Sequence, residues 1–245
     1  MIDETWNERT AAGYDEDSAD MYAPEVLVPT VDFLADLAPG GRALELAIGT
    51  GRVGIPLHQR GVTVLGIEQS VPMADVLRGK SAAAGIEVII GDMATATAPR
   101  PGEFDLVYVV YNAISCLLTQ AEQVACFRNA ARHLRPGGRF VVELWVPDLQ
   151  RLPPGAVAQP FHISEKRAAF DTYDLLNQRV VSHHFWIDGG EADVFRSPHR
   201  YAWPSELDLM GQLAGLTLAE RWADWRRAEF TANSRSHVSV WTKPV

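Results

Sequence analysis

A glycine-rich segment and three acidic side chains in the first hundred residues form a pattern that suits binding of a nucleoside. Glu45 precedes the segment Gly49–Gly54, Glu68 follows that segment, and Asp92 comes next. Glycine permits a sharp turn and lets the backbone approach a ligand closely. The segment is a literal GxGxxG, which also occurs in dinucleotide-binding proteins. The acidic residues must therefore decide which ligand is bound.

The positions of the carboxylates favour adenosine joined to a cation over a dinucleotide. Glu45 would repel a pyrophosphate and attract a sulfonium or ammonium group. Glu68, about twenty residues after the loop, is placed to accept both ribose hydroxyls. Asp92 is placed to accept a hydrogen bond from an adenine amino group. Two alternatives stay open at this point: an NAD(P)-dependent oxidoreductase that uses the Gly49–Gly54 loop, and a non-catalytic cofactor-binding protein. The first lacks a Tyr-xxx-Lys pair in the sequence.

Apolar runs that alternate with helical stretches predict the elements that position these residues. The rhythm is that of βαβ units around a parallel sheet. The predicted strands are Ala43–Ala47, Val62–Ile67, Glu87–Ile90, Leu106–Val110 and Phe140–Trp145. Thr119 and Glu122 form a capping box that opens a helix between the last two. Each acidic residue then lies within or at the end of a strand.

The flanking segments divide the chain into three regions. Residues 1–42 are expected to form an N-terminal helical lid, with a helix over Glu25–Leu37 and a solvated acidic stretch over Asp15–Asp20. Residues 43–148 and 201–245 are expected to form a Rossmann-like core. Residues 149–200 predict an antiparallel β insertion with strands near Phe161–Glu165, Val180–Trp186 and Ala192–Phe195, which serves as a substrate cap or a dimer element. A helix from Pro204 and strands near Leu216–Trp225 and His237–Lys243 complete the core.

Composition excludes several classes of function. The formal net charge of −9 disfavours nucleic acid as a partner. No apolar run is long enough for a membrane span, and the acidic N-terminus does not match a signal peptide. We therefore expect a cytoplasmic protein with no membrane partner. Cys116 and Cys126 form no CxxC motif, and we expect both to be small buried hydrophobes.

The motifs together resemble those of class I S-adenosylmethionine-dependent methyltransferases from Tyr14 to the end of the chain. LELAIGTGR, GIEQSVPM, IIGDM, FDLVYVVYNAISCL and HLRPGGRFVVE are similar to the family's first five motifs, in the family's order. The resemblance implies an α/β fold: a seven-stranded Rossmann-like sheet with helices on both faces and an antiparallel insertion after strand 5. The outline is similar to small-molecule N-methyltransferases of the glycine or aminosugar type. Ala47 departs from the family, which usually has glycine there, and we expect it to keep a negative φ.

The resemblance also implies S-adenosylmethionine as cofactor, with S-adenosylhomocysteine as product, and a set of contacts to it. Tyr14 resembles the tyrosine that reaches the methionine end of the cofactor, and Tyr22 adds to that lid. Arg52 either holds the cofactor carboxylate or pairs with Glu45 or a leader carboxylate. The implied contacts from the core are Glu45, Ala47, Gly49, Gly51, Glu68, Gln69, Met73, Asp92, Met93 and Tyr111.

The acceptor half of the site is less constrained by the sequence. We expect a methyl group to be transferred to a nitrogen or oxygen of a small molecule, such as a natural-product intermediate. His199 is the preferred general base among the histidines, because the insertion returns to the core there, and Tyr201 is its companion. Its titration is expected near pH ~6.5. No metal is expected, and a strand of the insertion offers a possible homodimer contact.

Overall fold

The computed structural model describes residues 5–83, 85–189 and 191–245, so the first four residues of the predicted lid lie outside it. Two sheets account for its strands. The strands are β1 Arg42–Leu46, β2 Thr63–Glu68, β3 Glu87–Ile90, β4 Phe104–Val109, β5 Leu134–Trp145, β6 Ala158–Ile163, β7 Arg167–Asp174, β8 Arg179–Asp188, β9 Glu191–Arg200, β10 Thr217–Trp222 and β11 Ser236–Thr242.

The larger sheet has seven strands in the order β10-β11-β5-β4-β1-β2-β3. Strands β1 to β5 are parallel, whereas β11 runs antiparallel to β5 and β10 antiparallel to β11. The predicted fold class, a parallel sheet finished by an antiparallel pair, is therefore confirmed. Strand β5 begins at Leu134, six residues before the predicted Phe140, because the chain through Gly137 and Gly138 pairs with the end of the protein at Lys243.

Within the ranges that the structure describes, six α-helices of six residues or more connect and cover these strands. They are α1 Glu8–Asp17, α2 Pro24–Leu37, α3 Gly54–Gln59, α4 Val71–Gly79, α5 Gln120–His133 and α6 Pro204–Leu213. Local sequence explains where three of them start. Asn7 caps α1, Ser70 caps α4, and Thr119 with Glu122 forms the predicted capping box of α5.

The seven-stranded sheet has an apolar layer on each face. On one face Phe127 of α5 packs edge-on against Phe140 and Trp241, with ring centroids 5.0 and 5.1 Å away. On the other face Phe33 of α2 packs against Trp225 at 5.4 Å. Helices on both faces are what a parallel sheet needs to bury its apolar sides. Within the described ranges, no helix is long and apolar enough to cross a bilayer.

The smaller sheet has four antiparallel strands in the order β6-β7-β8-β9 and lies within the predicted insertion. The sequence predicted only three strands there, and β7 was missed. Asp171 and Tyr173, alternate residues of that strand, turn toward a cavity rather than a core. A strand whose inward face is polar does not show the apolar alternation by which strands are recognised.

Candidate active site

A cavity of about 1220 Å³ lies at the carboxyl ends of the central strands. The strand order puts the topological switch point between β1 and β4, where the chain connections leave in opposite directions. Ligands of open α/β sheets bind at such a point. The insertion sheet and the N-terminal segment supply the remaining walls. Since a single small-molecule site usually occupies roughly 300–1,000 Å³, this cavity can hold two ligands side by side.

The loop between β1 and α3 forms one wall through two left-handed residues. Ala47 and Gly49 both have φ of 58°. The expectation that Ala47 keeps a negative φ is therefore wrong. The turn is fixed by hydrogen bonds, because the amide of Ile48 donates to the Ile67 carbonyl oxygen at 3.1 Å and the amide of Gly51 donates to the Ile48 carbonyl oxygen at 3.0 Å. A non-glycine residue in this conformation costs roughly 1–2 kcal/mol.

Glu68 is held at the end of β2 against this loop. Its Oε2 accepts a hydrogen bond from the amide of Gly49 at 2.9 Å, and its Oε1 accepts one from the amide of Ser70 at 2.7 Å. Burial raises the pKa of Glu68, although the amides of Ser70, Gly49 and Gln69 oppose that shift. Each carboxylate oxygen retains a second acceptor site. The side chain is thus rigid and still able to accept hydrogen bonds.

Glu45 lies deeper in the same wall, and its carboxylate is almost entirely buried. It accepts a hydrogen bond from the Tyr108 hydroxyl at 2.9 Å. Gly54 passes so close that a Cβ there would come within 2.7 Å of Glu45 Oε2, so this approach requires glycine. Burial raises the pKa of Glu45 to about 8, against the opposing effects of Tyr108 and the charge of Arg52. A cation in the cavity would favour the ionised form.

Arg52 is buried beside the loop without a carboxylate partner. Its guanidinium lies over the Tyr111 ring at 5.1 Å and donates to the Met21 carbonyl oxygen at 3.4 Å. Among the described residues it forms no ion pair, so the predicted alternatives of pairing with Glu45 or a leader carboxylate are not realised. Its charge is available to an anionic group in the cavity.

The end of β3 supplies an apolar surface. Met93 lines the cavity together with the buried Met73 of α4, whose Cε lies 3.5 Å from a Cβ built on Gly49. Asp92 is outside the cavity lining, and its Oδ1 accepts a hydrogen bond from the amide of Ala94 at 2.7 Å. Methionine side chains pack readily against flat rings.

The N-terminal segment closes the cavity between the main sheet and the insertion. The Trp6 ring contacts the rings of Tyr14 and Phe195, with centroids 5.8 and 6.0 Å away. Arg9 pairs with Asp193 of β9. Tyr14 lines the cavity, and burial, with a smaller contribution from Tyr111, raises its pKa to about 12. The segment therefore bridges two walls through aromatic and charged contacts.

Asp15 lies at the centre of a hydrogen-bond network rather than in a solvated stretch. Its carboxylate accepts from the hydroxyls of Tyr22 at 2.5 Å and Thr50 at 2.6 Å, and it pairs with Lys80 Nζ at 2.6 Å. Burial would raise the pKa of Asp15, but the bonds from Lys80, Thr50 and Tyr22 together lower it. Tyr22 thus binds the leader to the glycine loop and does not itself line the cavity.

The chain after β4 turns sharply at two left-handed residues. Tyr111 and Asn112 have φ of 52° and 63°. The amide of Tyr111 donates to Glu143 Oε2 at 2.6 Å, and Asn112 Oδ1 accepts from the amide of Trp145 at 2.8 Å. These bonds to β5 hold the turn, so Tyr111 is directed into the cavity at the switch point.

His199 faces the cavity from β9 with both ring nitrogens occupied. Ser115 donates its proton to the Asn112 carbonyl oxygen at 2.6 Å, so His199 Nδ1–H donates to Ser115 Oγ at 2.9 Å. Its Nε2 then accepts from the Ser197 hydroxyl at 2.8 Å. Burial lowers the pKa of His199 to about 4. The expected titration near pH 6.5 is therefore wrong, and His199 is neutral at physiological pH.

Asp171 faces the cavity from β7. Ser182 donates to its Oδ1 at 2.6 Å, and the Tyr173 hydroxyl lies 3.4 Å from its Oδ2. Burial raises the pKa of Asp171, against the opposing effects of Ser182, Tyr173, His184 and His183. In the part of the chain that the structure describes, no cation forms an ion pair with it. Ser182 is in register with Asp171 on one side and Ser197 on the other, so a polar row crosses the insertion toward His199.

Arg167 faces the same cavity at the start of β7. Its Nη2 donates to His184 Nδ1 at 3.1 Å, and its guanidinium lies over the Trp186 ring at 5.5 Å. Its Nε is buried and makes no hydrogen bond. Burial lowers the pKa of His184, and the positive charge of Arg167 lowers it further. This histidine is therefore neutral beside the arginine.

Comparison with known proteins gives the family of this arrangement. The family model described as a methyltransferase domain matches residues 43–138. The CcbJ methyltransferase from Streptomyces caelestis is 37% identical in sequence, with a TM-score of 0.87 over 98% of both chains. The chain is a class I S-adenosylmethionine-dependent methyltransferase.

Two further proteins are similar to this methyltransferase along most of its length. Cypemycin N-terminal methyltransferase from Streptomyces is 27% identical over 238 residues, which is 93% of this chain and 96% of that protein. A structure of SAM-bound CalS10, an amino pentose methyltransferase from Micromonospora echinaspora, has a TM-score of 0.66 at 21% identity and covers 89% and 90% of the two chains. Since the chain belongs to the methyltransferase family, it is neither a nicotinamide-dependent oxidoreductase nor a non-catalytic cofactor-binding protein.

The methyltransferase brings most of the predicted site residues to one cavity. The predicted residues that line it are Tyr14, Glu45, Ala47, Gly49, Arg52, Glu68, Gln69, Met73, Met93, Tyr111, His199 and Tyr201. Gly51, Tyr22 and Asp92 are outside this lining. Gly51 has a left-handed φ of 85° and shapes the loop, whereas Tyr22 and Asp92 bind neighbouring backbone or side chains.

Sequence analysis of the methyltransferase missed Asp171, Arg167 and Trp6. Asp171 and Arg167 lie on the unrecognised strand β7, so nothing in the linear pattern linked them to the site. Trp6 precedes Asn7, the N-cap of α1, and meets Tyr14 and Phe195 only in the folded chain, so the sequence carried no signal for it. Among the described residues, no three His, Cys, Asp or Glu side chains gather in a group that could hold a metal ion.

Proposed function

We propose that this methyltransferase transfers the methyl group of S-adenosylmethionine to the nitrogen of a small-molecule amine, of the kind found in natural products. The observation that carries the proposal is Asp171: a carboxylate in the cavity wall, with Ser182 as donor and no ion-pair partner among the described residues. A carboxylate taken out of water is costly unless it is paired. An ammonium acceptor supplies the missing cation, whereas an alcohol does not.

A relative supports nitrogen as the acceptor atom. Cypemycin N-terminal methyltransferase, which aligns with 93% of this chain, is by its name an enzyme that acts at an amino terminus. A peptide amino terminus is an ammonium group at neutral pH, with a pKa of about 8. We propose the same kind of acceptor, an amine that is protonated at neutral pH, for this protein.

The residues in the main sheet fit the cofactor. Two left-handed loop residues, Ala47 and Gly49, bring backbone to the cavity edge, and Glu68 has acceptor sites left for ribose hydroxyls. Met73 and Met93 would cover the adenine ring, and Arg52 would bind the cofactor carboxylate. The negative charge of Glu45 would attract the cationic end of the cofactor. Asp92 stays a candidate for the adenine amino group at the rim.

When bound, S-adenosylmethionine supplies an activated methyl group on a sulfonium, so alignment and exclusion of water account for much of the rate. Asp171 binds the ammonium form of the acceptor and takes its proton, which leaves the nitrogen lone pair free. Methyl transfer to that nitrogen would leave the electron pair of the carbon–sulfur bond on the sulfur of the cofactor. Trp6 and Tyr14 exclude water, and the neutral His199 and Tyr201 line the acceptor side of the cavity.

Replacement of Asp171 by asparagine tests the proposal. We expect Asp171→Asn to lower kcat/KM for amines by roughly 10²–10⁴-fold, the usual contribution of a positioned acid–base group. S-adenosylhomocysteine affinity should stay unchanged. Asp174→Asn is the matched control, since Asp174 caps an exposed turn at the end of the same strand.

The assay uses methyl-labelled S-adenosylmethionine with paired probes: amino-terminal peptides and aminosugars beside their hydroxyl analogues. Mass spectrometry locates the transferred methyl group. Transfer to the hydroxyl analogues at rates equal to the amines, or full amine activity in Asp171→Asn, would contradict nitrogen selection by Asp171.

A further inference from the structure

We infer that Arg167 is an anion-binding residue for the acceptor, so that the acceptor carries an oxyanion such as a carboxylate or phosphate in addition to its amine. This inference rests on the proposed function in one respect only: that the acceptor occupies the insertion side of the cavity. It goes further because it names a second recognised group and the residue that binds it.

The first observation is that Arg167 has no negative partner. Among the described residues no carboxylate lies within ion-pair distance of its guanidinium. Arg200, the buried arginine at the other end of the insertion, shows the contrast. It donates to Gln123 and Gln178 and pairs with Glu206 at 2.7 Å. Within the described part of the chain, Arg167 therefore faces the cavity without a carboxylate partner, as does Arg196 of β9. Arg167 differs from Arg196 in that its guanidinium lies over an aromatic ring.

The second observation is that the guanidinium plane is fixed by its neighbours. The Trp186 ring lies against one face at 5.5 Å, and His184 Nδ1 accepts from Nη2 at 3.1 Å. Because His184 Nδ1 accepts this hydrogen bond, it carries no proton. His184 therefore fixes the guanidinium without neutralising its positive charge. With one face against Trp186 and one Nη2 donor used by His184, the guanidinium still has edge donors left. Such a planar fork matches the oxygens of a carboxylate or phosphate.

The third observation is that Arg167 and Asp171 lie on the same face of β7 and do not pair with each other. Four residues along a strand correspond to about 13 Å between Cα atoms. Ala169, the residue of that face between them, is buried and has only a methyl side chain. The two side chains carry opposite charges in one cavity, and neither has an ion-pair partner among the described residues. A single ligand with an amine and a separate oxyanion would pair with both.

A purely structural role would make Arg167 a support for Trp186 and His184. Three variants separate the two roles. Arg167→Met keeps the apolar contact and removes the charge, Arg167→Lys keeps the charge without the planar fork, and Arg179→Met is the control. Arg179 belongs to the neighbouring strand β8, is exposed and does not line the cavity.

The experiment titrates the full chain, saturated with S-adenosylhomocysteine, with sodium acetate, inorganic phosphate and neutral acetamide. Binding is measured from the ¹⁵N–¹H resonance of Arg167 Nε and from the thermal midpoint. We expect saturable effects from at least one oxyanion and none from acetamide. Arg167→Met should weaken oxyanion binding by about ten- to a hundredfold, as for hydrogen bonds to a charged group. Acetate and phosphate distinguish which oxyanion fits.

Oxyanion affinity that is equal in Arg167→Met, Arg179→Met and the parent would overturn the inference, as would the absence of any saturable effect in the parent. Arg167→Lys should bind more weakly than the parent but more tightly than Arg167→Met. The proposed function fails differently: Asp171→Asn should leave oxyanion binding intact or strengthen it, because a nearby negative charge is removed. An amine-independent activity would therefore refute nitrogen selection and leave the anion site standing.

Discussion

At the scale of single residues, the site depends on a few side chains held in conformations that their types do not prefer. Ala47, Tyr111 and Asn112 all have positive φ. Glu45, Glu68 and the glycines of the Gly49–Gly54 loop were enough to predict a site for adenosine joined to a cation. The sequence did not indicate that alanine would adopt the left-handed conformation, because the turn is fixed by a hydrogen bond that the Ile48 amide donates to the carbonyl oxygen of Ile67 on a different strand. Local propensity alone cannot report such a constraint.

The strain at Ala47 predicts a stabilising substitution. Ala47→Gly should raise the free energy of unfolding by about 1 kcal/mol, because glycine adopts positive φ without the Cβ clash. The thermal midpoint should then rise by roughly 2–4 °C. Gly49→Ala is the reciprocal control and should lower the midpoint, since Gly49 has the same φ of 58°. A midpoint that falls in Ala47→Gly, measured by calorimetry without ligand, would show that the loop is unstrained at this position.

At the scale of elements, the insertion must be joined firmly to the core if it is to carry acceptor-binding residues. The join is a buried network in which Arg200, at the end of β9, binds Gln123 of α5 and Glu206 of α6. The sequence predicted the insertion and the helix that follows it. It did not predict β7, whose cavity-facing residues Arg167, Asp171 and Tyr173 are polar. The strand that carries Asp171 and Arg167 was therefore the hardest to recognise.

The Arg200–Glu206 pair predicts an acid-sensitive join. Burial would raise the pKa of Glu206, but bonds from Arg200, Gln178 and Gln120 together lower it. A carboxyl group whose pKa is lower in the folded state stabilises the folded protein at pH values above its unfolded pKa of about 4.3. That stabilisation is lost as the pH falls through the folded-state pKa. Arg200→Met should reduce this acid dependence, with Gln178 and Gln120 still bonded to Glu206, and destabilise the protein by about 3–5 kcal/mol.

Urea unfolding of the parent and Arg200→Met between pH 3 and pH 7 measures the effect. Arg221→Met is a useful comparison, because Arg221 pairs with Asp208 of α6 outside the insertion. An Arg200→Met protein whose stability matches the parent across this range would show that the network does not hold the insertion in place.

At the scale of the whole molecule, we assign the cofactor to the side of the cavity formed by the seven-stranded sheet and the acceptor to the side formed by the insertion sheet. The similarity to the CcbJ methyltransferase covers 98% of the chain and so includes both sheets. The order of motifs in the sequence was enough to predict the seven-stranded sheet, since each motif lies at a strand end. The acceptor half depends on contacts between distant segments, such as Trp6 with Phe195 and Ser115 with His199, which no local pattern encodes.

The most direct test of this division is the binding of S-adenosylhomocysteine to the parent and to Glu68→Ala. A ligand at a hundred times its Kd stabilises the native state by about 2.7 kcal/mol, which corresponds to a rise of roughly 5–11 °C in the thermal midpoint. We expect that rise in the parent and in Glu87→Ala, a control at the exposed start of β3, but not in Glu68→Ala at the same ligand concentration. NAD and NADP should have no effect. An equal rise in Glu68→Ala, or a rise with NAD and none with S-adenosylhomocysteine, would contradict the placement of the cofactor at the ends of β1 and β2.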